Sequence, residues 1–281
     1  MILGAGGLVG RAMTAVFSES VKAVSPHSSE LDVRDAQKIM KQVCSLKPRL
    51  VINCTGYSGH DVCEKYPARA WEINATAVRH IAHACALAEA TMVQISSAAV
   101  FDGVKEEPYT EEDVPAPLNI YGASKLAGEA IVRTVAPASY VFRLPMLYGE
   151  PKKDTTSFIA RLRSRLVDAS TKEVRLADDE QASPTSAETA AHAIRQTIEQ
   201  QPPGLYHLAC SGTTSLYELG VFMAKALHSR TTILSVPAAT FNRTALKPRQ
   251  GCLASCRVDD LGDWQIVLTQ WLIKCHLPAG T

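Results

Sequence analysis

The sequence lacks the features that mark several classes of protein. No stretch reaches the roughly 18 uninterrupted apolar residues of a membrane span, and no basic segment leads into a long apolar run as in a secretory signal. The 29 Lys and Arg residues nearly balance the 28 Asp and Glu residues, so the net charge of +1 creates no overall field to attract nucleic acid or a membrane. With 46% hydrophobic residues, the 281-residue chain is predicted to be globular.

The eight cysteines form no CxxC pair. Cys252 and Cys256 are four positions apart, but no second pair with metal-ligand spacing accompanies them, so we expect no metal site. A long chain without a signal is also unlike the small secreted proteins that depend on disulfides. We therefore expect reduced thiols and a cytoplasmic location.

Strand-sized apolar runs alternate with helical patterns along the chain, which indicates an α/β protein with a doubly wound parallel sheet. We predict about seven strands within residues 1–145 and a smaller C-terminal α/β lobe over residues 146–281, with a discontinuous boundary as an alternative. The predicted helices are Leu8–Ser18, Ala36–Leu46, Ala68–Ala88, Asn119–Val135, Ser157–Val167, Ala187–Gln200 and Ser215–Leu227. The predicted strands include Val21–Val24, Leu50–Asn53, Thr91–Ser96, Tyr140–Arg143, Glu173–Leu176, Leu205–Leu208 and Thr232–Val236.

A glycine-rich turn follows the first apolar residues and opens the first predicted helix. Gly4, Gly7 and Gly10 have the spacing that allows a tight turn, a close approach of backbone to a pyrophosphate, and packing of the helix on the strand. Free N–H groups at Leu8 and Val9 would face the phosphates. Only three residues precede Gly4, so the first strand is expected to be short or the chain truncated.

The end of the second predicted strand carries no acidic residue to bind a ribose 2′-hydroxyl. His27 and its neighbouring serines could instead accept a 2′-phosphate, which mildly favours NADP over NAD, although His27 could equally be an ordinary loop residue. Asp32 and Val33 are expected beside the adenine.

Tyr121 and Lys125 form a YxxxK pair on one face of a predicted helix. A nearby ammonium favours the phenolate and lowers the pKa of a tyrosine, which could then pass a proton to a carbonyl oxygen as hydride arrives from a nicotinamide. A hydroxyl to hold that carbonyl is available at Ser96 or Ser97, at the end of a predicted strand. In a doubly wound sheet both elements would face the cofactor crevice.

Longer segments resemble the extended short-chain dehydrogenase/reductases, and within them the dTDP-4-dehydrorhamnose reductase family, which also contains the regulatory β subunit of methionine adenosyltransferase. The resemblance covers nearly the whole chain. Its most specific pieces are VFDG at 100–103 and the PLNxYGxSKxxGE pattern at 117–129. Further matching segments are GAGGLVG at 4–10, NCT at 53–55, EINA at 72–75, RLPMLYG at 143–149 and SPTSA at 183–187.

This resemblance implies a Rossmann domain that carries NAD(P) and a lobe that carries a nucleotide sugar. Ser97, Tyr121 and Lys125 would form the catalytic triad. The implied cofactor residues, beyond those named above, are Cys54, Thr55, Gly56, Asn74, Ser96, Leu144 and Pro145. The implied substrate residues are Val100, Phe101, Pro184, Thr185 and Arg249.

One departure from the family leaves two functions open. The reductases usually carry an Asp-Tyr pair where this chain has Ala98-Ala99, so two polar groups of a sugar pocket are absent. The first hypothesis is an NAD(P)H-dependent reductase of a 4-keto-6-deoxy nucleotide sugar. The second is a non-catalytic, NADP-binding regulatory subunit that partners a methionine adenosyltransferase catalytic chain. A homodimer is possible in either case.

Overall fold

The computed structural model describes residues 1–136, 138–150, 154 and 156–276. A parallel sheet of five strands in the order β1-β2-β3-β4-β9 forms its centre. The described residues form eleven strands: β1 Ile2–Leu3, β2 Leu50–Asn53, β3 Thr91–Ser97, β4 Ser139–Leu144, β5 Leu147–Tyr148, β6 Glu173–Ala177, β7 Gln181–Ala182, β8 Thr185–Ser186, β9 Gly204–His207, β10 Thr214–Ser215 and β11 Thr232–Val236. They also form ten α-helices: α1 Leu8–Ser18, α2 Ala36–Leu46, α3 His60–Lys65, α4 Pro67–Trp71, α5 Ala77–Leu87, α6 Ile120–Val135, α7 Phe158–Val167, α8 Ala187–Gln200, α9 Leu216–Ala226 and α10 Trp264–His276.

Helices cover both faces of the central sheet, and each face has its own apolar core. One core packs α1 and α8 against the sheet through residues such as Met13, Phe142 and Ile194. The other packs α2 and α5 on the opposite face through residues such as Ile39 and Ile81. The predicted α/β class with a parallel sheet is therefore confirmed.

The predicted number of strands is wrong: the central sheet has five strands, of which four, β1–β4, lie within residues 1–145. The segment Val21–Val24 is not a strand in the described structure, and a backbone bond from the Ile2 N–H to the Val24 carbonyl at 2.8 Å links it to β1. Val21 is 56% exposed, and Pro26 follows without an N–H to extend a ladder. That bond still places Val24 on the far side of β1 from β2, as a doubly wound sheet requires.

The chain returns to the central sheet after leaving it. Strand β9, which we predicted within the C-terminal lobe, pairs in parallel with β4. The rest of the C-terminal half has its own apolar core around Leu162, Leu219 and Trp271. The division at residue 145 stays a prediction, and β9 favours the discontinuous alternative.

The predicted helix over Ala68–Ala88 is interrupted. Between α4 and α5, Glu72–Thr76 forms a π-helical turn, in which backbone bonds reach one residue further than in an α-helix. Such turns occur frequently at functional sites, and Asn74 lies within this one.

Candidate active site

The glycine turn has no room for other residues at two positions. Gly4 has φ +75°, and a Cβ there would lie 2.8 Å from the Thr55 backbone nitrogen. A Cβ on Gly10 would lie 2.0 Å from the Gly4 carbonyl oxygen. The turn, the loop after β2 and the start of α1 therefore touch backbone to backbone, which is the packing that the glycine spacing predicts.

Helix α1 begins without a side-chain cap. Its N-cap residue is Gly7, whose N–H donates to the Gly4 carbonyl at 3.0 Å. The N–H groups of the following turn, which includes Leu8 and Val9, need partners from outside the helix. A helix N-terminus of this kind attracts phosphate groups through these N–H groups and the helix dipole.

A cleft of about 570 Å³ opens beside this turn. Its volume is in the range of small-molecule sites. The predicted cofactor residues that line it are Gly4, Gly7, His27, Asp32, Val33, Cys54, Thr55 and Gly56. The predicted cofactor residues outside its lining are Leu8, Val9, Gly10, Asn74, Ser96, Tyr121, Lys125, Leu144 and Pro145.

Three further polar residues of the cleft lining bear on a ligand: Ser25, which is one of the serines beside His27, and two arginines that the sequence did not point to, Arg34 and Arg69. The hydroxyl of Ser25 is buried there without a hydrogen-bond partner among the described residues, so it is suited to a bound polar ligand. Arg34 binds the Asp32 carboxylate at 2.5 Å, and this bond lowers the pKa of Asp32 to about 2, with a smaller contribution from Arg69. Ser25 belongs to the serines that we expected beside a 2′-phosphate, whereas no sequence signal points to Arg69.

Tyr121 and Ser97 meet at the carboxyl end of β3. Asn119 caps α6 by accepting the Gly122 N–H at 2.9 Å, which places Tyr121 in the first turn of that helix. The Ser97 side chain lies close enough to the Tyr121 hydroxyl to influence the pKa of that phenol. Lys125, one turn later, is buried and donates from Nζ to the Ile95 carbonyl at 2.5 Å. The structure therefore brings the three predicted triad residues together.

Burial controls the ionisation of this group. It raises the pKa of Tyr121, and the neighbouring Ser97 side chain opposes that shift. Burial also lowers the pKa of Lys125 to about 8, against the opposing effects of Glu129 and Cys54. The lowered tyrosine pKa that we predicted is therefore not found, because desolvation of the phenolate outweighs the effect of Ser97 and the Lys125 charge does not contribute to the shift. Tyr121 is a neutral phenol at pH 7, the form that can donate a proton.

Two glycines let α6 approach the rest of the site. A Cβ on Gly122 would lie 2.0 Å from the Ala99 carbonyl oxygen, and one on Gly128 would lie 2.4 Å from the carbonyl oxygen of Asn74. The Asn74 side chain in turn holds the loop after β2, since it accepts the Tyr57 N–H at 2.8 Å and donates to the Tyr57 carbonyl at 3.0 Å. The π-helical turn, α6 and the loop after β2 are thus packed together on one side of the site.

The cleft and the triad are adjacent. A Cβ on Gly56, which lines the cleft, would lie 4.0 Å from the Lys125 Nζ. Cys54 also lies near Lys125, and burial raises the pKa of its thiol to about 12, so it stays protonated. Ser96 faces away from this junction, because its buried hydroxyl donates to the Glu129 carboxylate. Of the two strand-end serines, only Ser97 is placed beside Tyr121.

Most of the predicted substrate residues are inaccessible in the structure. Val100 and Phe101 are completely buried in an apolar cluster with Tyr109, so their side chains are core residues and offer no surface to a substrate. Thr185 is also completely buried, and its hydroxyl accepts the Cys210 N–H at 3.0 Å. Pro184 is buried beside it, whereas Arg249 is exposed. Leu144 and Pro145, expected near the nicotinamide, are buried as well.

Cationic side chains of the C-terminal half gather near the triad. Burial lowers the pKa of Lys247, and the charges of Arg243 and Arg161 lower it further. Lys247 and Arg243 in turn act on His60, whose ring stacks on Tyr121 with 5.3 Å between the ring centroids.

Comparison with known proteins agrees with this geometry. The family model described as RmlD substrate binding domain matches residues 1–274. The chain belongs to this family. The predicted resemblance to the dTDP-4-dehydrorhamnose reductases and to the methionine adenosyltransferase β subunit is thus confirmed.

Two relatives and one solved structure illustrate what the chain is similar to. The chain is 28% identical to a dTDP-4-dehydrorhamnose reductase of Streptomyces griseus, covering 96% of this chain and 91% of the relative. It is 29% identical to methionine adenosyltransferase 2 subunit beta of Rattus norvegicus, covering 93% of this chain and 82% of the relative. A crystal structure of the Bacillus anthracis dTDP-4-dehydrorhamnose reductase in complex with NADP is 26% identical, with a TM-score of 0.91 over 97% of this chain and 98% of that one.

No group of three or more His, Cys, Asp or Glu side chains that could hold a metal ion is present in the described part of the chain. None of the described helices combines the length and apolarity needed to cross a membrane.

Proposed function

We propose that this protein is an NADP(H)-dependent reductase that acts on the keto group of a 4-keto-6-deoxy nucleotide sugar. The observation that carries the proposal is the placement of the Ser97 side chain beside the Tyr121 phenol, with Lys125 buried one helical turn away and next to the cleft through Gly56. The cleft suits a dinucleotide, because it offers glycine backbone, a helix N-terminus and the unpaired Ser25 hydroxyl.

The residues around Tyr121 divide the chemistry between them. A nicotinamide dinucleotide supplies the hydride in this reaction class. Ser97 holds the carbonyl oxygen of the substrate, and the neutral Tyr121 phenol donates its proton to that oxygen as it becomes a hydroxyl. The Lys125 ammonium stabilises the phenolate that remains until a proton from solvent restores the phenol.

The nucleotide-sugar substrate is supported by the cations near the triad. The charges of Arg243 and Arg161 both act on Lys247, and Arg243 also pairs with the Glu180 carboxylate. Arginine and lysine side chains suit phosphate oxygens. A nucleotide sugar bound with its keto group at Tyr121 and its diphosphate at these cations would contact both the proton donor and the positive charges.

The test is NADPH oxidation with a dTDP-4-keto-6-deoxy sugar. We expect turnover by the wild-type protein and a fall of at least about 100-fold in kcat for Tyr121→Phe, with NADP binding retained. Turnover that survives Tyr121→Phe would contradict the role of Tyr121. Absence of turnover by the wild-type protein would contradict the proposed function.

A regulatory subunit is the second candidate, and one observation favours it. Ala98 and Ala99, which replace the polar pair of the reductases, are buried, and Ala98 packs in the apolar cluster of Phe101 and Tyr109. A stable complex with a methionine adenosyltransferase catalytic chain, formed without NADPH turnover, would support this candidate. The cytoplasmic location and the homodimer stay predictions under both.

A further inference from the structure

The imidazole ring of His60 lies against the phenol ring of Tyr121. Their centroids are 5.3 Å apart and their planes are inclined by 28°, a stacked arrangement. Such contacts between rings stabilise one mutual orientation. The contact therefore restricts rotation of the Tyr121 ring, on which the direction of its hydroxyl depends.

His60 can orient Tyr121 only if its own position is fixed, and helix α3 fixes that position. His60 is the first residue of α3, which begins after Gly59 at φ +100°. Two carboxylates of α3, those of Asp61 and Glu64, accept backbone N–H groups from segments that pack beside the helix. Glu64 accepts the N–H of Ile120, directly before Tyr121, at 2.8 Å.

The second carboxylate ties α3 to the C-terminal half. Asp61 accepts the Thr244 N–H at 3.0 Å and the Ala245 N–H at 2.8 Å. These hydrogen bonds hold the carboxylate in its charged form and lower the pKa of Asp61. Helix α3 is thus anchored both to the start of α6 and to the segment that precedes Lys247.

The His60 ring is uncharged and incompletely hydrogen-bonded. Its Nδ1 is buried and finds no partner among the residues that the structure describes. Burial lowers the pKa of His60 to about 4, and the charge of Lys247 adds to this effect. An unpaired buried polar atom destabilises the folded state, so hydrogen bonding by Nδ1 does not explain why a histidine occupies this position. The ring contact with Tyr121 is the interaction that accounts for a histidine at this position.

We propose that His60 is a positioning residue for Tyr121, which fixes the plane of the phenol ring while Glu64 and Asp61 fix His60. The inference rests on the proposed function in taking Tyr121 as the proton donor. The relationship could not be found from the sequence, because 61 positions separate the two residues and no motif joins them.

The first test compares three variants in the NADPH-dependent reduction. In His60→Ala we expect kcat to fall about tenfold with KM within about twofold, because a displaced proton donor slows the chemical step more than binding. His60→Phe keeps a flat ring and should retain most of kcat. His83→Ala, which removes an exposed histidine of α5, is the matched control and should have no effect. If His60→Ala fails to fold, His60→Leu replaces it.

The second test does not need turnover. The near-ultraviolet phenolate absorbance is titrated for each protein and for its Tyr121→Phe counterpart, and the difference belongs to Tyr121. Because burial raises the pKa of Tyr121, loss of the covering ring in His60→Ala should lower that pKa towards 10, whereas His60→Phe should keep it raised.

These outcomes separate the two proposals. If the wild-type protein does not reduce the sugar, the proposed function fails, while the titration still decides whether His60 positions Tyr121. Unchanged kcat and unchanged titration in His60→Ala would overturn the inference. So would equal losses in His60→Phe and His60→Ala, since stacking would then not be the cause.

Discussion

The Glu129 carboxylate and the Arg143 guanidinium form an ion pair in the protein interior, with 2.7 Å between Oε2 and Nη2 and side-chain exposures of 4% and 3%. The Ser96 hydroxyl donates to the same carboxylate. Arg143 also lies 3.4 Å from the Nε2 of His207, measured from its Nη1. Since Glu129 belongs to α6, the pair fixes the helix of Tyr121 to the strands β3, β4 and β9.

Glu129→Gln should destabilise the protein strongly. It leaves the buried Arg143 charge uncompensated, and breaking a buried pair in this way costs about 3–5 kcal/mol of unfolding free energy. Urea unfolding measures this loss. The control is Glu199→Gln, which removes an exposed pair with Arg195 at 2.9 Å and should cost at most about 0.5 kcal/mol. Similar losses in the two variants would show that burial of the pair has no special effect.

Activity should fall as the pH rises through about 8. Burial lowers the pKa of Lys125 from 10.5 to about 8, so the ammonium of the folded protein loses its proton in that range. Tyr121, whose pKa is raised, remains a neutral phenol there. The dependence of kcat/KM on pH reports groups of the free protein and should therefore show an alkaline limb near 8.

Glu129 provides a check on the origin of that limb. Its carboxylate favours the charged form of Lys125, so Glu129→Gln should move the limb to lower pH if the variant folds. An alkaline limb of the kcat/KM profile near pH 10 in the wild-type protein would instead indicate that Tyr121 or an unperturbed lysine controls the reaction.

The glycine turn and helix α6 were predictable because contacts between residues close in the sequence determine their conformation. The spacing of Gly4, Gly7 and Gly10 reflects contacts within one turn, and the YxxxK pair lies on one helix face by geometry alone. Helices α1 and α2 begin and end at the predicted residues. The parallel sheet followed from the alternation of buried strands and helices.

The remaining features depend on contacts between distant segments. Val100 and Phe101 belong to a motif typical of the family, yet packing against Tyr109 buries them beyond the reach of a substrate. The π-helical turn at Glu72–Thr76 has no signal in an alanine-rich pattern that reads as a continuous helix. Ring stacking of His60 on Tyr121 is equally invisible until the fold brings the two together.

Gly10→Ala should damage the cofactor site. Its Cβ would lie 2.0 Å from the Gly4 carbonyl oxygen, so the backbone of the turn must move. We expect a loss of about 1–3 kcal/mol of stability and at least tenfold weaker NADP binding, measured by thermal unfolding and by calorimetric titration. Gly204→Ala is the control, because a Cβ there meets no atom closer than 3.4 Å, the residue has no left-handed φ and it lies outside the lining of the cleft. If Gly204→Ala weakened NADP binding as much, steric pressure on the turn would not be the reason.

Arg69→Leu should weaken the binding of NADP more than that of NAD. Arg34 lines the same cleft but is neutralised by Asp32, with 2.5 Å between the charged groups. Arg69 forms no ion pair within the described part of the chain, so its charge is available to a ligand in the cleft. A 2′-phosphate, which only NADP carries, would gain most from that cation.

The measurement is the ratio of the two dissociation constants. In Arg69→Leu we expect the Kd of NADP to rise about tenfold while that of NAD stays within about twofold, since losing one charge-assisted contact costs on the order of 1.4 kcal/mol. Arg79→Leu removes an exposed arginine of α5 outside the cleft and should leave both constants unchanged. Equal weakening of NAD and NADP in Arg69→Leu would place the guanidinium at a part common to both dinucleotides, such as the adenine, and would leave His27 and the Ser25 hydroxyl as the groups that select the 2′-phosphate.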